Sequence, residues 1–425
     1  MRLSHVVAYL AGAFSLGIFA GFNNYTLSLW LSAYTSSYLL IGLFGNTRSF
    51  EGAIASPIVG AWSDRTWLGF LGRRRPFILV GGLSSALLLA ITPVLAPSAS
   101  ITSTATLWSD VARLGPVLAI IFLFTLTYQG MDDTHKALLA DLTEGSLRDR
   151  LSALRIVVEF VGQIVILVAG FVLWSDGIPD WAFAFSAALM AAGVIWIAIG
   201  VPEPRPDIWQ TRRPSPAVSA TRSRFASRTL FRQYPGVVAF CFVSFAYWSG
   251  VNAVLPLVSV YTRDILGASV GEAQLLPALL VLSTMVLAVP IGMLGARVGR
   301  RLVMSAGFAI MAVAGIAGIL ITTREQGAAV FLLVGAGNAA ILVMTIPILA
   351  DLLPRHHMGI GTGILAASGS IAAPLASVAS GVLADIYGPR AIFALMTTMT
   401  CIALAAMPLV RPPVPEDVLN DPGKP

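Results

Sequence analysis

The stretch Gly60-Ala-Trp-Ser-Asp64-Arg65, which resumes after Thr66 to Leu71 as Gly72-Arg73-Arg74, is answered in the second half of the chain. There it reads Gly292-Met-Leu-Gly-Ala296-Arg297-Val-Gly299-Arg300-Arg301. Each copy stands between two long apolar runs. Glycine for a tight turn and arginines for an anionic surface are what a chain needs where it leaves a bilayer and re-enters it. A second echo, Gly170-Phe-Val-Leu ahead of Asp176 and Gly381-Val-Leu-Ala-Asp385, follows in the same order at the ends of two further runs. Two pairs in matching order predict an internal repeat.

Composition agrees with a bilayer. Hydrophobic residues make up 56% of the 425, charged residues 11%, and the mean hydropathy is +0.82, whereas soluble domains carry roughly 25% charged residues. The expected class is an all-α integral membrane protein. A hydrocarbon core of about 30 Å needs about 20 helical residues, and twelve runs are long enough. They lie near residues 5–30, 37–62, 76–96, 116–140, 152–173, 180–201, 235–261, 273–295, 302–322, 327–353, 360–384 and 389–410. The Arg- and Pro-rich segment between the sixth and seventh runs should be extended and solvated. The expected division is therefore a six-helix bundle over 1–202, a linker over 203–233, a second bundle over 234–411 and a tail over 412–425.

With both ends cytoplasmic, twenty Arg and Lys residues fall on the cytoplasmic side and only Arg113, Arg263, Arg324 and Arg390 on the other. This is a strong positive-inside bias. The same bias accounts for the net charge of +6 without nucleic acid, since the arginines form no basic face interleaved with aromatics. Met1-Arg-Leu-Ser-His5 leads into a run longer than a signal-peptide core, so an uncleaved first span is expected. Cys241 and Cys401 each stand alone in an apolar run, which suits neither a metal site nor a disulfide framework. The pair His356-His357 has no third ligand nearby and reads as solvated.

Charges inside the runs carry the functional signal, because an ionisable group at mid-bilayer costs at least about 2.5–3.5 kcal/mol unless it meets a partner or water. Run four contains Gln129-Gly-Met-Asp132-Asp133-Thr-His135-Lys136; run two contains Arg48 and Glu51, three apart; run five contains Arg155 and Glu159, four apart. Both spacings stack on one helix face. Arg48, Lys136 and Arg155 stand against Glu51, Asp132, Asp133 and Glu159, which leaves one carboxylate over. An uncompensated acid in a poorly hydrated place can take up a proton on one side and release it on the other. These seven residues are the candidate proton-coupling set, with Asp132 favoured because it lies one turn from Lys136. A charged network that only staples helices is the competing reading. His135 could shuttle protons or serve as a polar anchor.

Runs seven to twelve hold only Asp351 and Arg390, near helix ends, with amides deeper. A neutral polyhydroxylated ligand suits this asymmetry. Its candidate contacts are Asn23, Asn24, Tyr25 and Gln129 in the first half, and Tyr247, Trp248, Asn252 and Asn338 in the second. Gly60, Asp64, Arg65, Gly72, Arg73, Arg297 and Arg300 are the candidate conformational latch, with Asp64 pairing to Arg65, Arg73 or an arginine at a neighbouring helix end.

Twelve spans in two sixes with Gly-x-x-x-Asp-Arg and Gly-Arg-Arg after the second run resemble the major facilitator superfamily. Within it, Leu71-Gly-Arg-Arg-Arg-Pro-Phe-Ile78 and Ala137-Leu-Leu-Ala-Asp-Leu-Thr143 resemble the sucrose transporters and the glycoside-pentoside-hexuronide cation symporters. Ala296 departs from the pattern, standing where an acid would complete the second latch. The resemblance implies sugar uptake with a proton or sodium ion; no oxygen cage for sodium can be read from spacing. No P-loop points to ATP, no catalytic or metal constellation is present, and no cofactor is expected.

Three functions compete: proton-coupled uptake of a sugar or glycoside by alternating access, proton-driven export of an apolar or amphiphilic compound, and a non-transporting scaffold. The expected partners are a small-molecule substrate and the lipid bilayer, with the chain acting as a monomer. Arginine-heavy, lysine-poor, alanine-rich usage points to a bacterial inner or plasma membrane.

Overall fold

The computed structural model describes residues 2–45, 58, 59, 62, 63, 65–97, 107–143, 145–203, 233–354 and 357–411. Arg48, Glu51, Gly60 and Asp64 lie outside the described residues, as do His356, most of the expected linker and the expected tail.

Eleven helices among the described residues are long and apolar enough to cross a membrane. The first, α1 over Leu3–Leu31, contains one widened π turn, Phe22–Thr26. After the short α2 (Tyr38–Phe44) come α3 (Arg75–Ile91), α4 (Leu107–Leu142), α5 (Gly145–Leu173) and α6 (Asp180–Gly200). The second half runs α7 (Pro235–Val254), α8 (Val258–Leu266), α9 (Glu272–Val298), α10 (Arg300–Leu320), α11 (Arg324–Leu352), α12 (Met358–Tyr387) and α13 (Ala391–Ala406). The second expected run is described at α2 and at residues 58, 59 and 62. The seventh breaks after Val254 and restarts at Val258, because Pro256 has no N–H to continue the ladder.

Helix packing repeats between the halves. In the first, α1 packs on α5 and α6, and α3 on α4 and α6; in the second, α7 packs on α12 and α13, and α10 on α11 and α13. The halves meet along two seams that the same repeat relates, α5 with α9 and α12 with α2. Each half has its own aromatic core, built on Tyr9, Phe19, Phe124 and Tyr128 in one and on Phe308, Phe331 and Phe393 in the other.

The arginine loops close this symmetry. Gly72 (φ 79°) and Gly299 (φ 110°) adopt positive φ just before α3 and α10, a region open to glycine and strained for other residues. The arginine after each glycine then reaches the far end of the next helix. Arg73 and Arg74 pair with Asp141 at 2.5 and 3.0 Å, and Arg300 pairs with Asp351 at 2.5 Å. Both acids sit in the same tripeptide, Ala140-Asp141-Leu142 and Ala350-Asp351-Leu352.

Asp64, expected to pair with Arg65, Arg73 or an arginine at a neighbouring helix end, lies outside the described residues; Arg73 itself pairs with Asp141 of its own half. One expectation about this region needs correction. Glu203 was expected to open a solvated linker, but its carboxylate is buried and accepts from the backbone N–H groups of Arg73, Arg74 and Arg75 at 2.6–2.8 Å. It caps α3, where the helix dipole favours an anion. Arg65 and Arg297 are exposed.

Candidate functional site

Between the halves lies a chamber of about 300 Å³, walled by α1 and α5 on one side and by α7, α8, α9, α10, α11 and α13 on the other. The first half contributes Asn24 and Tyr25 from the π turn, and Glu159, Phe160 and Gln163 from α5. A π turn displaces side chains from the regular helical register and is frequent at functional sites; here it directs Asn24 and Tyr25 into the chamber. Glu159 and Gln163 are brought up to α1 by a close helix crossing. A Cβ on Gly17 would stand 2.9 Å from the Cα of Gly162 and overlap the carbonyl of Glu159, so only small residues let the two backbones meet.

The second half supplies Tyr247, Trp248, Thr284 and Asn338, set among aliphatic walls such as Val251, Leu280 and Leu342. Asn338 is oriented from both sides. It accepts from the Tyr247 hydroxyl at 2.5 Å and donates to Thr284 Oγ1 at 3.2 Å.

Of the substrate contacts expected from sequence, Asn24, Tyr25, Tyr247, Trp248 and Asn338 thus come together. Asn23 does not line the chamber; it is fully buried and donates to Asn24 Oδ1 at 3.3 Å. Gln129 donates to Asp133 one turn along its own helix at 3.1 Å, and Asn252 donates to the Trp248 carbonyl at 2.8 Å. Gln163 and Thr284 were missed. Gln163 had a signal, since it stands four residues after Glu159 and so shares its face; a lone threonine in an apolar run gives none.

The charges of α4 and α5 form a chain that ends at the chamber. Asp132, 2% exposed, is bracketed by Lys136 and Arg155, each at 2.6 Å. Arg155 also reaches Glu159 at 3.5 Å and donates to His135 Nδ1 at 3.2 Å. His135 is fully buried, its Nε2 bonded to the Tyr9 carbonyl at 3.0 Å and its ring stacked on Tyr9. Two cations compensate the carboxylate that sequence reasoning favoured for proton coupling, whereas Glu159 sits in the chamber wall and shares its arginine. Glu159 stands at mid-helix, since α5 starts at Gly145.

The halves touch at helix ends on both seams. Asp385 accepts from the Ser37 hydroxyl and from the backbone N–H of Tyr38 and Leu39, at 2.6–3.1 Å, and so caps α2. At the other seam Gln274 accepts from Thr26 Oγ1 at 2.9 Å, and Gly271 N–H donates to the Ser175 carbonyl at 3.2 Å. The echoed glycines mark both places, Gly381 against Leu39 and Gly170 against Gln274. The Arg73–Asp141 and Arg300–Asp351 pairs lie at the opposite ends of their helices.

A family model described as Major Facilitator Superfamily matches residues 9–265 and again 240–425. The chain belongs to this superfamily. Its members are transporters, not enzymes, and the chain is a multi-pass membrane protein. The fold is shared with a D-xylose-proton symporter (16% identity, TM-score 0.75, 96% of this chain and 98% of that one). It is also shared with the nucleoside transporter NupG (14%, 0.69, 96% and 100%) and with a bacterial homologue of the human lysosomal transporter Spinster (13%, 0.70, 98% and 97%). No curated protein matches the sequence.

Proposed function

We propose that this superfamily member is a twelve-span secondary transporter, both ends cytoplasmic, that carries a sugar or glycoside inward with a proton by alternating access. The observation that carries the proposal is the chamber between the halves, which joins one acid, Glu159, to a set of neutral amides and aromatic faces. Amides exchange hydrogen bonds with hydroxyls, and flat rings pack on the apolar faces of a sugar. The sequence matches at Leu71–Ile78 and Ala137–Thr143 point to the same substrate class.

Arg155 ties the proton to the chamber. With Glu159 ionised, Arg155 is shared between Glu159 and Asp132; when Glu159 takes a proton, Arg155 turns wholly to Asp132 and the wall of the chamber becomes neutral. Asp132 therefore acts through Arg155, and Glu159 is the acid that titrates. The positive-inside bias places the Arg73 end in the cytoplasm, so the seam at Asp385 faces outward in this conformation, and uptake requires it to part. The bilayer in question is a bacterial inner or plasma membrane, and the chain works as a monomer.

Radiolabelled sucrose, maltose and monosaccharides offered to proteoliposomes under an imposed pH gradient test this reading. Accumulation that follows the gradient and vanishes in Glu159→Gln is the expected result; accumulation indifferent to pH and driven by sodium would replace the proton. A second reading, proton-driven export of an amphiphile, draws on the aliphatic part of the chamber wall. It predicts drug resistance on expression and no movement of any sugar.

A further inference from the structure

The chamber has an annex. Beyond Tyr247, Trp248 and Leu342, which stand in the walls of both, a second space of about 210 Å³ lies wholly inside the second half. It is bounded by Phe240 on α7, Met304 and Phe308 on α10, and Ile341 on α11. Among the described lining residues, apart from Tyr247, whose hydroxyl is taken by Asn338, only Ser244 and Thr345 bring hydroxyls, and that of Thr345 donates back to the Ile341 carbonyl at 2.7 Å.

The two spaces therefore favour different chemistry. A sugar hydroxyl in the chamber meets Glu159, Gln163 and Asn24. In the annex it would leave water and find few partners, which is unfavourable. An aromatic ring there would be released from water and packed against Phe240 and Phe308 in the geometry aromatic side chains prefer. A second sugar ring belongs in neither space, since the annex cannot satisfy its hydroxyls.

We infer that the site takes amphiphilic glycosides, with one sugar ring in the chamber and a flat apolar aglycone in the annex. The inference rests on the sugar reading above and narrows it, placing free disaccharides below aryl glycosides of the same size.

The test uses the full chain in lipid nanodiscs free of glycoside detergents, titrated calorimetrically with phenyl glucoside, maltose, glucose and phenol. Phenyl glucoside binds at least about tenfold more tightly than maltose if the annex takes the aglycone. Thr345→Trp, which fills the annex, abolishes that preference and leaves glucose binding unchanged. Phe308→Leu is a milder second variant and lowers the preference in part, with glucose binding again the control for folding. Maltose binding as tightly as phenyl glucoside, or Thr345→Trp weakening phenyl glucoside and glucose alike, overturns the inference while the sugar reading stands. Phenol binding as well as phenyl glucoside, with neither sugar bound, brings down the sugar reading itself.

Discussion

Helices α4 and α11 end in the same Ala-Asp-Leu and are fastened by the same kind of arginine, yet their interiors differ. Nine, six and five residues before the shared aspartates, α4 carries Asp132, His135 and Lys136, whereas α11 carries Leu342, Thr345 and Ile346. The first set belongs to the ion network, buried at Asp132 and His135; the second lines the annex. The same substitution runs along the neighbouring pair, because counting back from the echoed glycines Gly170 and Gly381 sets Arg155 and Glu159 beside Ala366 and Ser370. One scaffold has thus been filled twice, with ion chemistry in one half and apolar space in the other. Buried charge needs partners from several helices at once, while an apolar pocket needs only shape, so a repeat can diverge this way without changing its packing.

The strongest way to break the comparison is to remove the acid on the charged side. Glu159→Gln abolishes gradient-driven accumulation in proteoliposomes and leaves exchange of substrate across an unenergised membrane; loss of both would assign Glu159 to binding instead. Next comes Arg155→Gln, which takes from Asp132 one of the two cations that bracket it and costs about 3–5 kcal/mol of stability, the range for breaking a buried pair. Adding Asp132→Asn restores most of it, and thermal unfolding in nanodiscs reads both. Transplanting charge into the neutral half sharpens the same point: Leu342→Asp costs at least about 2.5–3.5 kcal/mol, since none of the described residues lining the annex carries a charge to compensate it. A smaller effect is expected at the amide. Asn338→Ala raises KM about fivefold by removing a hydrogen-bond partner worth about 1 kcal/mol, with the pH dependence of uptake unchanged. The smallest separates the two arginine staples, since Arg300→Ala breaks a half-exposed pair worth about 0–1 kcal/mol and should shift the midpoint of unfolding less than Arg73→Ala, whose partner is better covered.

Much of the fold was legible because length and apolarity alone decide what can cross a bilayer. Eleven of the expected runs coincide with helices to within several residues, apart from the break at Pro256, where a proline in an apolar run did not say whether the helix would bend or stop. The repeat was legible in its glycines and arginines. Ala-Asp-Leu at the ends of α4 and α11 was an equally good signal, and it would have shown that Arg73 is held within its own half. The chamber was less legible. Composition selects amides and aromatics, but helix rotation decides which of them face inward: Asn23 and Asn24 are neighbours in one π turn with opposite fates. The start of α5 was hidden as well, because Gly145–Arg150, too polar to count as membrane-spanning, is helical nonetheless.

The crossing of α1 and α5 has one more implication. Because backbone lies on backbone at Gly17 and Gly162, no side chain can be trimmed there to let Glu159 drift, and none can be added without levering two helices apart. The acid is set by main chain, like a bearing seated in a frame, so any adjustment of its reach toward the ligand must come from the half turning as one body. Engineering of this transporter has more freedom at the annex, where side chains alone define the space, than at the acid, whose address is written in the backbone.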